Sequence, residues 1–275
     1  MSSKRSRRRD DDKHLYVVLD WDMGYVIHKL DVDEFTDSGA GAGAAMFHHL
    51  PEHAAVRIEA PVDRSFPAVA AVGSKIVIAT HALLEDAPVF MYDTGTSSLA
   101  AGPRPTAPLM PGIMVPVHGQ RLYALDPRSA SKHYLQGQGH YVDDLDAWVG
   151  LDDDGRLCSC DVASRRAATS AAALGSKITK ETLLREDPKR HVGHSSGATL
   201  AYMGDGVFCL VECAIRRGLD IADALCAEDG CVLHVTVFGL SYDKAGELRI
   251  SPRRRGRTYL VSRFNHVVAP KVFWM

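Results

Sequence analysis

Apolar residues along this chain come in short runs set between turn residues, and four of those runs open on a glycine. They are Gly73-Ser-Lys-Ile-Val-Ile, Gly119-Gln-Arg-Leu-Tyr-Ala, Gly155-Arg-Leu-Cys and Gly206-Val-Phe-Cys-Leu-Val. The four glycines stand 46, 36 and 51 residues apart. Periods of roughly 40–50 residues, with several short strands in each, are those of propeller blades of WD or kelch type.

The rest of the chain repeats the same phrase. Leu15 to Asp20 and Tyr25 to Asp31 read as two strands around the turn Trp21-Asp-Met-Gly24, a hairpin that forms half a blade. Phe66 to Ala79, broken at Gly73, then Val89 to Thr94 and the Pro-rich exit from Leu99 to Pro105 make a complete blade. Met114 to Asp126 starts another, but the 36-residue interval falls here, as though strands were missing before His140 to Leu151. Arg156 to Val162, Ala198 to Met203, Gly206 to Glu212, Val232 to Tyr242, Thr258 to Ser262 and Lys271 to Met275 are further expected strands, and Lys177 to Arg185 is expected as a short helix. A terminal strand of a propeller commonly pairs with the opposite terminus and so removes a sheet edge. The closing strands are therefore expected to complete the blade begun by Leu15 to Asp31. Residues 1–13 are polar and charge-blocked and are read as a disordered tail, 14–275 as the propeller, and Gly39 to Ala45 as a flexible loop.

Composition changes this picture little. With 46% apolar and 24% charged residues among 275, the chain can bury a substantial core. A net charge of −2 gives no global attraction for nucleic acid. Apolar runs break well short of the ~20 residues that span a bilayer, so no membrane partner is expected. The basic start lacks an apolar stretch after it, which argues against secretion and for the cytoplasm or nucleus. The six cysteines are then expected as thiols.

Few residues carry a chemical signature. Gly193-His-Ser-Ser-Gly197 matches the nucleophile elbow in letters only, because Ser195 lacks the preceding buried strand and following helix that strain such a turn. Cys209 and Cys213, with Cys226, Cys231, His191 and His194, imitate a zinc spacing. On one strand, however, residues four apart are roughly 13 Å apart, against about 4 Å for two thiolates on zinc. Small buried hydrophobes are the reading for these cysteines and for Cys158 and Cys160. Aspartates at strand ends, including Asp126, Asp143, Asp144, Asp152 and Asp243, read as turn formers. Trp21, Tyr92, Trp148 and Trp274 read as fillers between sheets. No catalytic residue, metal or cofactor is expected. Two basic stretches remain: Lys4, Arg5, Arg7, Arg8 and Arg9, a candidate import signal followed by Asp10 to Asp12, and Arg253, Arg254, Arg255 and Arg257, read as a turn between strands and a candidate contact for an anion or an acidic partner.

The phrases Leu15-Tyr-Val-Val-Leu-Asp, Phe66-Pro-Ala-Val-Ala-Ala-Val-Gly-Ser-Lys-Ile-Val, Val89-Phe-Met-Tyr-Asp-Thr, Tyr141-Val-Asp-Asp-Leu-Asp-Ala-Trp-Val-Gly-Leu, Leu157-Cys-Ser-Cys-Asp-Val, His191-Val-Gly, Gly197-Ala-Thr-Leu-Ala-Tyr-Met-Gly-Asp and Val272-Phe-Trp-Met resemble plant domain-of-unknown-function family 1668. That family is expanded in grasses, and its members resemble kelch-type propellers. The resemblance covers residues 4–275 and implies an all-β, kelch-like propeller, but no site residues. Members are longer between Tyr123-Ala-Leu-Asp126 and Tyr141, which implies that part of the ring is absent here. Three functions follow as expectations: a non-enzymatic scaffold for an unknown protein partner, monomeric if the ring closes; an enzyme or small-ligand binder with its site in the central channel; or a truncated, non-functional copy.

Overall fold

A computed structural model describes residues 13–21, 23–37, 46–60, 68–80, 87–103, 114–117, 121–124, 136–152, 155–161, 176–186, 191, 197–261 and 270–275. Strand β1 (Leu15–Trp21) pairs antiparallel with β2 (Gly24–Leu30), as the hairpin pattern requires. Short strands β3 (Thr36–Asp37) and β4 (Phe47–His49) leave for a distant sheet edge before β5 (Val56–Glu59) returns beside β2. A second sheet runs in chain order through β6 (Ala68–Val72), β7 (Lys75–Ala79), β8 (Val89–Asp93) and β9 (Ser98–Ala101). The third place holds the two-stranded pair β10 (Met114–Val117) and β11 (Arg121–Ala124). A fourth sheet contains β12 (Gln136–Val142), β13 (Ala147–Leu151), β14 (Arg156–Asp161) and β15 (Ser176–Thr182). The fifth contains β16 (Ala198–Gly204), β17 (Val207–Ile215), β18 (Cys231–Tyr242) and β19 (Leu248–Val261), with β3 and β4 along β19 and helix α1 (Ile221–Cys226) between β17 and β18. Finally β20 (Lys271–Trp274) pairs with the outer side of β1, so the first sheet reads β20-β1-β2-β5.

These sheets stand in a propeller arrangement. Their leading strands are neighbours: β10 lies beside β6, β6 beside β20, β20 beside β16, and β16 beside β12. The first, second and fifth blades are therefore slices between two others, and strands so placed must be apolar on both faces. In β1 the period-2 alternation of side chains serves this demand directly. Leu15, Val17 and Leu19 pack with Val211, Leu233 and Val235 of the fifth blade, while Tyr16 and Val18 pack with Ile76, Ile78 and Tyr92 of the second. A separate cluster joins Val149, Leu151 and Leu157 of the fourth blade to Leu200, Leu210 and Phe238 of the fifth. Among the described residues the second blade has a further small cluster of Ala68, Ala70, Ala79 and Val89 with Val77 beside them.

Three of the four signature glycines are described, and each takes the left-handed conformation at its turn: Gly73 at φ 58°, Gly155 at 71° and Gly206 at 69°. A side chain there would be strained, which is why the glycine marks each hairpin. Gly119 and the Gly39 to Ala45 loop lie outside the described residues, as do Lys4 to Arg9.

Two expectations are corrected. Lys177 to Arg185 begins as a strand, because Ser176–Thr182 pairs with β14 and closes the fourth blade. Tertiary pairing here overrides the helix preference of Lys and Glu. Arg253 to Arg257 is likewise no turn but the middle of β19, with Arg255 opposite Val237 and Arg254 opposite Phe238. The expected closure by the C-terminus is found: β20 pairs with β1, His14 N donates to Met275 O at 2.7 Å, and Met275 N donates back to His14 O at 3.1 Å.

Strand β20 sends Val272 into the core against the fifth blade and Phe273 into the core against the second. Phe273→Ala should lower unfolding stability by about 3–5 kcal/mol, the usual cost of emptying a buried phenylalanine site. A chain ending at Pro270 should lose its single melting transition in calorimetry. If it melted like the full chain, β20 would be a decoration and not the closure.

Candidate functional site

Buried ionisable side chains gather at one point, on the face of the fifth blade that looks toward the fourth. Glu212 on β17 stands opposite His234 on β18, which stands opposite Thr258 on β19, so register alone brings the three together. Glu212 is 1% exposed. Its Oε1 accepts from His191 Nε2 at 2.7 Å and from Glu186 N at 2.9 Å, and its Oε2 accepts from Arg185 N at 2.9 Å. Burial by itself would raise the Glu212 pKa, but the hydrogen bonds from His191 and from the two backbone amides outweigh it and hold the carboxyl below its ordinary range. His234 Nδ1 shares a hydrogen bond with Thr258 Oγ1 at 2.8 Å, and burial keeps its pKa low. Arg217 closes the outer side, with Nε 3.0 Å from Glu186 Oε1.

A carboxylate on an imidazole is the pair that general-base chemistry uses. In this case both side chains are buried at 1% exposure, out of reach of any substrate. What Glu212 grips is the segment that leaves β15 and enters β16, which His191 pins further by a bridge to Ala214. The arrangement fastens the fourth blade to the fifth. Two more bonds do the same work: His140 Nε2 to Leu200 O at 2.8 Å, and Ser159 Oγ with Tyr242 OH at 3.1 Å.

Cys158, Cys209, Cys213 and Cys231 follow the apolar reading, whereas Cys160 is only half-buried. Cys209, Cys213 and Cys231 are packed in the core between the fifth and first blades. Burial pushes the thiols of Cys209 and Cys213 well up and those of Cys231 and Cys158 to about 11. Among the described residues no group of three or more His, Cys, Asp or Glu is placed to hold a metal ion. Ser195 and His194 lie outside the described residues. No helix among them is long and apolar enough to cross a membrane.

The arginines of β19 point to acids of neighbouring elements. Arg254 Nη2 donates to Glu181 Oε2 on β15 at 2.8 Å, Arg257 Nη2 to Glu34 O at 2.7 Å, and Arg255 Nη1 lies 3.9 Å from Asp33 Oδ1. The side chain of Arg253 is exposed. Pairs this exposed contribute little individually, but together they tie the last long strand to its surroundings.

The fourth blade has one more property. Its face toward the fifth blade is buried, whereas the opposite side carries the row Tyr141, Trp148, Cys160 and Ser176, each opposite the next across β12 to β15. This side faces away from the fifth blade. Trp148 is accordingly 40% exposed, Tyr141 39% and Ile178 49%. The expectation that Trp148 fills space between sheets is therefore corrected, while Tyr92 is buried as expected at 3%. The Trp148 and Tyr141 rings lie 5.8 Å apart, tilted by 56°. Tyr141 OH donates to Asp146 Oδ1 at 2.7 Å; that bond, and the charges of Asp146 and Asp143, raise its pKa.

Sequence reasoning missed Glu212 and His234. The available signal was a lone glutamate inside the apolar run from Val207 to Ile215, matched by a histidine inside the apolar run on β18. The exposure of Trp148 had no sequence signal.

A protein family described as "Protein of unknown function (DUF1668)" matches the chain over residues 12–134 and 135–259. No curated protein matches it. The two matched stretches meet between strands β11 and β12.

Replacing Glu212 with alanine removes the acceptor of three hydrogen bonds, one of them from the buried His191, and unfolding stability should fall by about 3–5 kcal/mol in chemical denaturation. The carboxyl titrates below its ordinary 4.5 when folded, so its contribution is complete above that pH and is lost as the pH falls through the depressed value. Glu212→Gln should flatten this acid step of the stability–pH curve. An unchanged curve would mean that another carboxyl governs it.

Proposed function

The chain belongs to the DUF1668 family, and from its propeller fold together with that membership we propose that it is a non-enzymatic, kelch-like interaction scaffold that takes a protein partner on the open side of its fourth blade. The observation that carries this reading is the exposure of Trp148, Tyr141 and Ile178 on one sheet face. Exposed aromatic and aliphatic groups on a rigid blade are what partner recognition uses, because tryptophan and tyrosine supply much contact area at small entropy cost. The side chains that could do acid–base chemistry are instead engaged in holding blades together. A rigid sheet core with function at its surface suits a scaffold. Five described cysteines are free, which supports a reducing compartment, the cytoplasm or nucleus.

Full-length protein and the double variant Trp148→Ala, Ile178→Ser should melt within a few degrees of one another, since both side chains are largely outside the core. Immobilised wild type should retain a protein partner that the variant loses. A partner held equally by both would move the interface elsewhere on the ring, and a broad melt without any partner would favour the truncated-copy reading. Turnover of a simple ester should not differ between wild type and Ser195→Ala; a difference would revive the enzyme reading.

A further inference from the structure

The turn between β12 and β13 carries Asp143, Asp144 and Asp146, all exposed, at the edge of the Tyr141–Trp148 pair. Aspartates in turns ordinarily accept a backbone N–H. Several in this protein do so: Asp31 from Asp33, Asp93 from Gly95, Asp152 from Arg156, Asp220 from Asp223 and Asp243 from Ala245. The side chains of Asp143 and Asp144 accept no such bond among the described residues, and no basic side chain among those residues pairs with them. Elsewhere exposed acids have cationic neighbours, as in Glu181 with Arg254 and Asp243 with Arg249.

The rings show the same contrast. Phe35, Phe47 and Tyr242 each carry a cation of the chain's own over their face: Arg257 at 5.6 Å, Arg216 at 5.8 Å and Lys177 at 4.3 Å from the ring centroid. Among the described residues none lies over Trp148 or Tyr141. Two partly exposed rings and two carboxylates with no basic partner among the described residues, at one corner of a blade, select one ligand chemistry, since the ring quadrupole and the carboxylates both attract a cation.

We propose that the partner of the fourth blade docks through a lysine or arginine of an exposed basic segment, its cationic head laid against Trp148 and paired with Asp143 and Asp144. Trp148 supplies the contact area, Tyr141 is held in place by Asp146, and the two turn carboxylates supply charge selection. This rests on the scaffold reading above and narrows it to a basic partner.

The probe is an eight-residue arginine peptide titrated into the full chain by calorimetry, beside a peptide of the same length in which neutral citrulline replaces every arginine. The arginine peptide should bind, the citrulline peptide should bind at least about tenfold more weakly, and Trp148→Ala and the double variant Asp143→Asn, Asp144→Asn should each weaken the arginine peptide by about tenfold. Trp148→Phe, which keeps a ring, should retain most of the binding and shows that losses do not come from unfolding. Failure of the arginine peptide to bind, or binding that neither variant weakens, overturns the proposal. A partner lost on Trp148→Ala but kept by the Asp143→Asn, Asp144→Asn variant would sink the cationic chemistry and leave the scaffold reading standing; a partner kept by both would sink the two together.

Discussion

Strand β20 contributes four residues, yet three blades meet on it. It pairs with β1 to give the first blade its leading strand, and it lies between the leading strands of the second and fifth blades. Without it the two apolar faces of β1 would still face their neighbours, but β1 would be a sheet edge at the ring's centre. Unpaired edges inside a barrel-like assembly are costly in hydrogen bonds and prone to pair with other chains. The join is made doubly secure at its start, where the hydroxyl of Thr199 on β16 donates to Pro270 O. Residues at the two ends of the sequence thus hold the ring as one object, and the long-range pairing has to form late, after both halves exist.

From this join the packing is strongest where the chain is most regular. The interface between the first and fifth blades is built of Leu, Val and Ile side chains on strands of up to 14 residues. The further small cluster of the second blade is mainly alanine. Polar ties add to the packing. Glu212, His191, His140 and Ser159 all bind the fourth blade, or the segment leaving it, to the fifth. These fasteners of the fourth blade are concentrated on its side toward the fifth. Buried charge is an expensive device for this purpose; both carboxylate oxygens of Glu212 accept hydrogen bonds, while His191 Nδ1 and His234 Nε2 are buried without a hydrogen-bond partner among the described residues.

The ring of β-blades was legible because a glycine recurs at hairpin turns, at positive φ in the three signature positions described, and because strands such as β1 are apolar on both faces. The helix expected over Lys177 to Arg185 failed for a physical reason: Lys, Glu and Leu favour a helix locally, but β14 offered an unpaired edge that only a strand could satisfy. The basic turn failed similarly, since Arg253 to Arg257 has no local strand signal and is drawn into β19 by the length of β18 beside it. Glu212 and His234 lie 22 residues apart in sequence and meet only through register. Such a meeting is invisible until the hairpin from β17 to β18 is fixed residue by residue.

Trp148, Tyr141 and Ile178 give the fourth blade an exposed apolar face on the side away from the fifth. Folding uses the alternation of these strands where it meets the fifth blade, and the same alternation sets large side chains on the other side as well. Exposed apolar area of this kind is a liability unless a partner covers it. The turn acids beside it bear on that liability, because like charges on two copies of this face would repel, whereas a basic segment would be drawn in. Charge placed at the rim of an apolar patch selects against self-association and for one class of partner in a single arrangement. The exposed face of the fourth blade and the acids at its rim would thus act together on the same choice of partner.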